Sequence, residues 1–315
     1  MLPGTGWDIK HLEGITAQAM SIERPEAMPT LSRAWQDNVP HIDLGRGVRA
    51  RHIQVDMTRA TTYDLYAKAG NVLRKMKGDR YDYAPVTSRG RVVGYISRFQ
   101  LIKADADQPI RNKTHSLAGG AIVSGDTPIV DIMQWIHKQR IVFVLEGRDV
   151  TGFVTIWDFN KQPARAYYYL VLAGLEIALA DMVRCRYGKN QSRLIGHLGS
   201  RDADELMERV ERDRGSGGGA DHDLVSYLNF KHLLRIFEKD RALRGELGKY
   251  APDRWKSYTR PLGDLRNEVM HPVTTLVGKP DDMVELTQSI DHAIVLVEQA
   301  IAALRKHCMV QTPKG

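Results

Sequence analysis

Cysteine is nearly absent: the chain has two, Cys185 and Cys308, too far apart for any metal-ligand spacing. A cysteine-held metal site is therefore excluded, and reduced thiols buried as small hydrophobes in a cytoplasmic chain are the expected state. A leader is missing as well, since "MLPGTGWDIKHLEGITAQ" has no basic stretch followed by an apolar core. No later run approaches the roughly 20 apolar residues of a membrane span, so neither export nor insertion is expected. Charge of one sign does not dominate either: 45 basic against 38 acidic side chains leave +7 and a pI near 9.3, shared between both halves. That excess is compatible with a polyanionic partner and too mild to demand one. What remains, 43% hydrophobic and 26% charged residues over 315 positions, is ordinary globular composition at a length that suits about two domains.

Residues 1–48 carry Pro3, Pro25, Pro29 and Pro40 with scattered glycines and no sustained periodicity, which predicts a partly ordered arm. From residue 49 a pattern occurs twice. Helical spacing in "TTYDLYAKAGNVLRKMK" and again in "TPIVDIMQWIHKQ" leads into a short apolar strand, a turn at "SRGR" or "EGRD", and a second apolar strand. Aligning "RVVGYISRFQ" with "DVTGFVTIWD" superposes Gly94 on Gly152 and Ser97 on Thr155. The unit is β-α-β-β, made twice.

These strands resemble the CBS-domain pair, over residues 49–162. In that family a strand ending in Gly-hydrophobic-x-Thr/Ser-x-x-Asp reaches an adenosine nucleotide. The resemblance implies that Gly152, Thr155 and Asp158 bind AMP, ADP or ATP as a regulatory ligand. Gly94 and Ser97 would do so in the first repeat, where Gln100 stands in place of the aspartate. The chemistry is sound on its own terms: a strand-end hydroxyl can donate to a phosphate oxygen, and a carboxylate three residues on can accept from both ribose hydroxyls. The plainer alternative is that Thr155 is a strand former and Asp158 a helix cap.

Residues 163–315 switch to helical period. "QPARAYYYLVLAGLEIALADMVRCRYG" is apolar nearly all round, as a central bundle helix is. "DADELMERVERDR" reads as a charged surface helix capped by Asp202 or Asp204, and "GSGGG" as a flexible tip. "DLVSYLNFKHLLRIFEKDRALRGELG", "WKSYTRPLGDLRNEVMHP" and "DDMVELTQSIDHAIVLVEQAIAALRKH" complete an all-α bundle, so the fold class is α+β multidomain. Tyr167 to Tyr169 are expected to pack within the first helix, and Asp221-His222-Asp223, beside a glycine run, to be solvated loop residues.

One stretch stands apart, "GDLRNEVMHPV". Arg-x4-His alone is expected about once by chance in a chain of this composition. Asn267 and His271 are i and i+4 on one helix face, and Arg266 lies about 140° round from His271. Pro272 stops the helix, which leaves His271 at a C-terminus where the helix dipole favours the protonated imidazole. An all-helical domain whose penultimate helix ends in Arg-Asn-x-x-x-His before one long helix is similar to the HEPN family. Many of its members are metal-independent ribonucleases active as dimers. The resemblance implies catalytic roles for Arg266, Asn267 and His271, RNA as substrate, no metal, and a homodimer or higher oligomer. The alternative is that Arg266 pairs with Asp264 or Glu268 while His271 only caps the helix.

Together these readings give a nucleotide-regulated endoribonuclease that cleaves RNA through its own 2′-hydroxyl. "WDFNKQPARAYYY" would carry a ligand-driven change from the CBS-like module into the bundle as a change in dimer geometry. The rival is a non-catalytic, nucleotide-responsive interaction or RNA-binding protein.

Overall fold

The computed structural model describes residues 47–117, 122–188, 191–215, 223–248 and 252–308, all in one of the chain's two compact units. The predicted arm lies, but for its last two residues, outside the described residues.

The first repeat runs α1 (Ala50–Ile53), β1 (Val55–Asp56), β2 (Tyr63–Asp64), α2 (Ala69–Gly78), β3 (Tyr83–Ser88), β4 (Arg91–Ser97) and α3 (Arg98–Leu101). The second runs through a 3-10 turn (Ile110–Lys113), β5 (His115–Ser116), β6 (Ile122–Ser124), α4 (Ile129–Gln139), β7 (Ile141–Glu146), β8 (Asp149–Thr155) and a 3-10 turn (Ile156–Asn160). The predicted β-α-β-β unit is present twice. The helix expected over "TTYDLYAKAGNVLRKMK" is shorter than its sequence period, because Tyr63 and Asp64 pair with β3 as a strand instead.

The two sheets exchange their outer strands. Their orders are β1-β8-β7-β6 and β2-β3-β4-β5, so the first strand of each repeat closes the other repeat's sheet. The pairings correspond: Asp56 faces Gly152 and Ser116 faces Gly94. Both long hairpins also carry a bulge at the same place, beside those two glycines. Between the sheets Tyr83, Tyr95, Phe143 and Phe153 form a ladder with ring centroids 6.2–6.4 Å apart.

Close approach of the exchanged strands explains both glycines. A Cβ on Gly94 would overlap the carbonyl oxygen of His115, and one on Gly152 would lie 2.7 Å from that of Val55. Gly94→Ala is therefore expected to cost about 1–3 kcal/mol by displacing β5. A urea denaturation midpoint lower than wild type with an unchanged slope would show it; an unchanged midpoint would remove this account of the glycine.

The region that follows is mostly helical. It comprises α5 (Gln162–Tyr187), α6 (Gln191–Ile195), α7 (Ser200–Gly215), a 3-10 turn (Leu224–Tyr227), α8 (Phe230–Lys239), α9 (Arg241–Glu246), α10 (Pro252–Met270) and α11 (Pro280–Cys308). The central helix α5 packs on α8, α10 and α11. By length and composition α5 is long and apolar enough to cross a membrane, and half of its most apolar stretch is buried within the fold, where it serves as the central helix the sequence predicts. Tyr167 and Tyr168 are buried in it as expected, whereas Tyr169 is exposed.

Other expectations are corrected. Cys185 is disulfide-bonded rather than a reduced thiol, so the cysteines carry no argument for a reducing compartment. The run from Asp223 to Gly248 is broken where Asn229 caps α8 and Asp240 caps α9 with bonds to Ala242 and Leu243. Asp202 lies inside α7, where it is buried against Arg235 at 2.8 Å. Asp223 is partly exposed, and beyond the expected solvation it caps the 3-10 turn and pairs with Arg184 at 2.7 Å. Most of "GSGGG", with Asp221 and His222, lies outside the described residues.

Candidate functional site

At the end of β8 the chain leaves the sheet through a 3-10 turn, which Thr155 and Asp158 cap reciprocally. Asp158 is only 5% exposed. Its Oδ2 accepts from the Thr155 N–H at 2.6 Å and the Thr155 hydroxyl at 2.9 Å, while Oδ1 accepts from the Lys161 ammonium at 2.8 Å. Lys161 also donates to the carbonyls of Ile53, 2.6 Å, and Gln54, 2.9 Å. The structure thus brings Thr155 and Asp158 together but bonds them to each other. A ribose would have to compete with Lys161 for the carboxylate's remaining capacity. In the first repeat Ser97 occupies the place of Thr155 and makes no capping bond, and the buried Oε1 of Gln100 has no partner among the described residues.

The last residue of that turn reaches the bundle. Asn160 Oδ1 accepts from the N–H groups of Leu276, 2.8 Å, and Val277, 3.0 Å, while its amide donates to the Val277 carbonyl at 2.8 Å. Five residues on, the buried Arg165 donates to the carbonyls of Asn160 at 3.3 Å, Glu268 at 3.2 Å, His271 at 3.4 Å and, most closely, Thr274. The loop from His271 to Lys279 is therefore held by two side chains at the junction of the β/α region with α5.

α10 ends at Met270, and Pro272 keeps His271 just outside it, as the sequence predicts. Arg266 and Asn267 line a groove of ≈ 740 Å³ between α8 and α10, whereas His271 lies outside that lining. The side chains of Asn267 and His271 are exposed and without hydrogen-bond partners among the described residues. Six basic residues face the groove, Lys231, Arg235, Lys239, Lys256, Arg260 and Arg266, against Glu238 and Asp264. Lys231, Arg235, Lys256 and Arg266 have carboxylate partners; Lys239 and Arg260 have none among the described residues. That surplus suits an anionic backbone.

A family model describing the CBS domain matches residues 52–107. That stretch is a CBS domain. Three solved structures are similar to part of the chain. A hemolysin-like protein containing a CBS domain from Oenococcus oeni PSU shares 18% identity at TM-score 0.32, over 35% of this chain and 85% of that one. The CBS domain of a bacterial CNNM/CorC family Mg²⁺ transporter, solved in complex with ATP, shares 17% at 0.34, over 39% and 92%. A conserved CBS-domain protein of unknown function from Thermoplasma acidophilum shares 20% at 0.33, over 40% and 75%. No curated protein matches the chain.

The CBS domain carries Gly94, Ser97 and Gln100; Thr155 and Asp158 belong to the repeat that follows it. Two features of the helical site escape a sequence reading. Lys231, Arg235 and Lys239 recur every fourth residue on one face of α8, a spacing that could have been read as a basic stripe. The partner of Arg266 could not: it is neither Asp264 nor Glu268 but Glu176 of α5, at 3.8 Å.

Burial is the largest influence on Glu176 and raises its carboxyl above the usual range, against the Arg266 guanidinium and the Phe230 N–H, which pull it down. A carboxyl raised in the folded state binds protons more tightly there than in the unfolded chain. Stability therefore falls as pH rises from the unfolded value of about 4.3 through the folded one. Glu176→Gln is expected to lack that decline, so its stability relative to wild type grows across this window and then levels off. Urea denaturation at a series of pH values between about 4 and 7 measures the difference; a constant offset would contradict the raised carboxyl.

Proposed function

We propose that the chain is a metal-independent endoribonuclease whose CBS region responds to an adenine nucleotide. The observation that carries this reading is the basic groove between α8 and α10, into which Arg266 and Asn267 project, with the unencumbered His271 one turn further along. RNA lies along the groove through its phosphates. His271 removes the 2′-hydroxyl proton, the 2′-oxygen attacks phosphorus, and the P–O5′ bond breaks as the protonated imidazole of the second copy donates a proton to the leaving 5′-oxygen. Arg266, held by Glu176, neutralises charge on the phosphorane, and Asn267 orients the phosphate or the imidazole. The products are a 2′,3′-cyclic phosphate and a 5′-hydroxyl.

Because His271 stands outside the groove that Arg266 and Asn267 line, the working unit is a homodimer in which two copies complete each site. The CBS match at residues 52–107 supports the nucleotide half of the proposal, with Thr155 and Asp158 as the second-cleft residues. The same displacement of His271 also favours a second reading, in which the groove binds RNA or another acidic partner and cuts nothing.

The test is cleavage of labelled mixed-sequence RNA in EDTA at near-physiological salt, with and without ATP, ADP and AMP. The salt level matters because a basic chain binds RNA non-specifically when ionic strength is low. Cutting that leaves cyclic-phosphate ends supports the nuclease. Salt-resistant binding without cutting selects the second reading.

A further inference from the structure

The turn that ends β8 has two ends with different attachments. At one end Asp158 is tied to Thr155 and Lys161. At the other, two residues later, Asn160 is tied through three hydrogen bonds to Leu276 and Val277. The backbone carbonyl of Asn160 also accepts from Arg165, whose remaining donors reach the carbonyls of Glu268, His271 and Thr274. Among the described residues His271 itself is held only through its main-chain groups: its N–H donates to the Glu268 carbonyl at 3.2 Å, and its carbonyl accepts from the Thr274 N–H at 3.0 Å and from Arg165 at 3.4 Å. The position of its imidazole is therefore anchored by the loop backbone that Asn160 and Arg165 grip.

We propose that Asn160 is a positioning residue, which transmits the state of Asp158 to the loop that carries His271. This rests on His271 being a working residue of the site described above. The relay is physical and short. A polyol that draws the Asp158 carboxylate away from Lys161 loosens the cap at the start of the turn, and a five-residue turn has no means of absorbing the change before Asn160. Asn160 has no sequence neighbour in the bundle that could substitute for it, because its three partners are main-chain groups more than a hundred residues away. The coupling thus runs within one chain and requires no change of dimer geometry. Its two sites are distinct, the β8 cleft and the loop after α10, joined by a continuous hydrogen-bonded path.

The experiment compares full-length wild type, Asn160→Ala and Asp158→Asn by hydrogen exchange and by RNA cleavage, with thermal melting as the control for folding. Asn160→Ala is expected to speed exchange at Leu276 and Val277 about tenfold, the effect of losing one hydrogen bond, and to lower kcat about tenfold with KM within about twofold. Asp158→Asn, at the far end of the turn and without contact to the loop, is expected to speed exchange at the same two amides. Unchanged exchange there in Asp158→Asn, or wild-type kcat in Asn160→Ala, overturns the relay. If wild type itself cuts no RNA, the nuclease reading fails, and the exchange of Leu276 and Val277 alone then decides the relay.

Discussion

His271→Ala is expected to abolish RNA cleavage, by about 10²–10⁴-fold in kcat, and to leave the melting temperature where it was. The two halves of this expectation rest on separate observations. The imidazole is exposed and bonded to nothing among the described residues, so its removal leaves no buried group unsatisfied. Surface changes of that kind shift stability by no more than about 0.5 kcal/mol. The main chain at 271 does the structural work, through Glu268, Thr274 and Arg165, and an alanine keeps all of it. A stable variant that cuts as fast as wild type would remove His271 from the chemistry. A variant that loses activity only together with its fold would mean that the residue caps α10 and nothing more.

Arg165→Ala has the opposite profile: a loss of about 3–5 kcal/mol of stability, in the range for removing one partner of a buried charged network. Arg165 is 4% exposed, and no carboxylate pairs with it among the described residues. Its guanidinium is neutralised instead by four carbonyls, two of them, Glu268 and His271, at the negative end of α10. Truncation would remove a charged donor from each of those carbonyls at once. Arg165→Lys is expected to recover little, because three donors on one nitrogen cannot span a fan of acceptors that a planar fork reaches. Urea denaturation with a constant slope measures both variants. A loss under about 1 kcal/mol in Arg165→Ala would mean that water replaces the guanidinium and that the loop is not held as described.

The repeat was legible in the sequence because period-2 strands and their glycines recur at matching positions. The exchange of outer strands was not, since β1 and β5 have two residues each and show no alternation. The long helices were legible from their apolar stripes. The breaks at Asn229 and Asp240 were missed because apolar spacing runs through both, although each is a good capping residue. At the site, Arg266, Asn267 and His271 could be singled out by pattern, and Pro272 put His271 at a helix end. What no local pattern reveals is Glu176 behind Arg266, or the burial of Arg165 in the first turns of a mostly apolar helix. Both depend on packing between segments remote in sequence, and Arg165 reads in isolation as an ordinary first-turn arginine.

The strand exchange bears on how the chain acquires its shape. β1 is made early but pairs only with β8, at Val55 to Phe153 and Asp56 to Gly152. Loop closure over that distance is slow relative to the hairpins β3–β4 and β7–β8, which are local. On the ribosome β1 waits until most of both repeats has emerged, and β4 likewise shows an open edge until β5 arrives. A nascent chain halted between the repeats therefore carries an unclosed sheet, and the first repeat cannot be cut out as a self-sufficient folding unit.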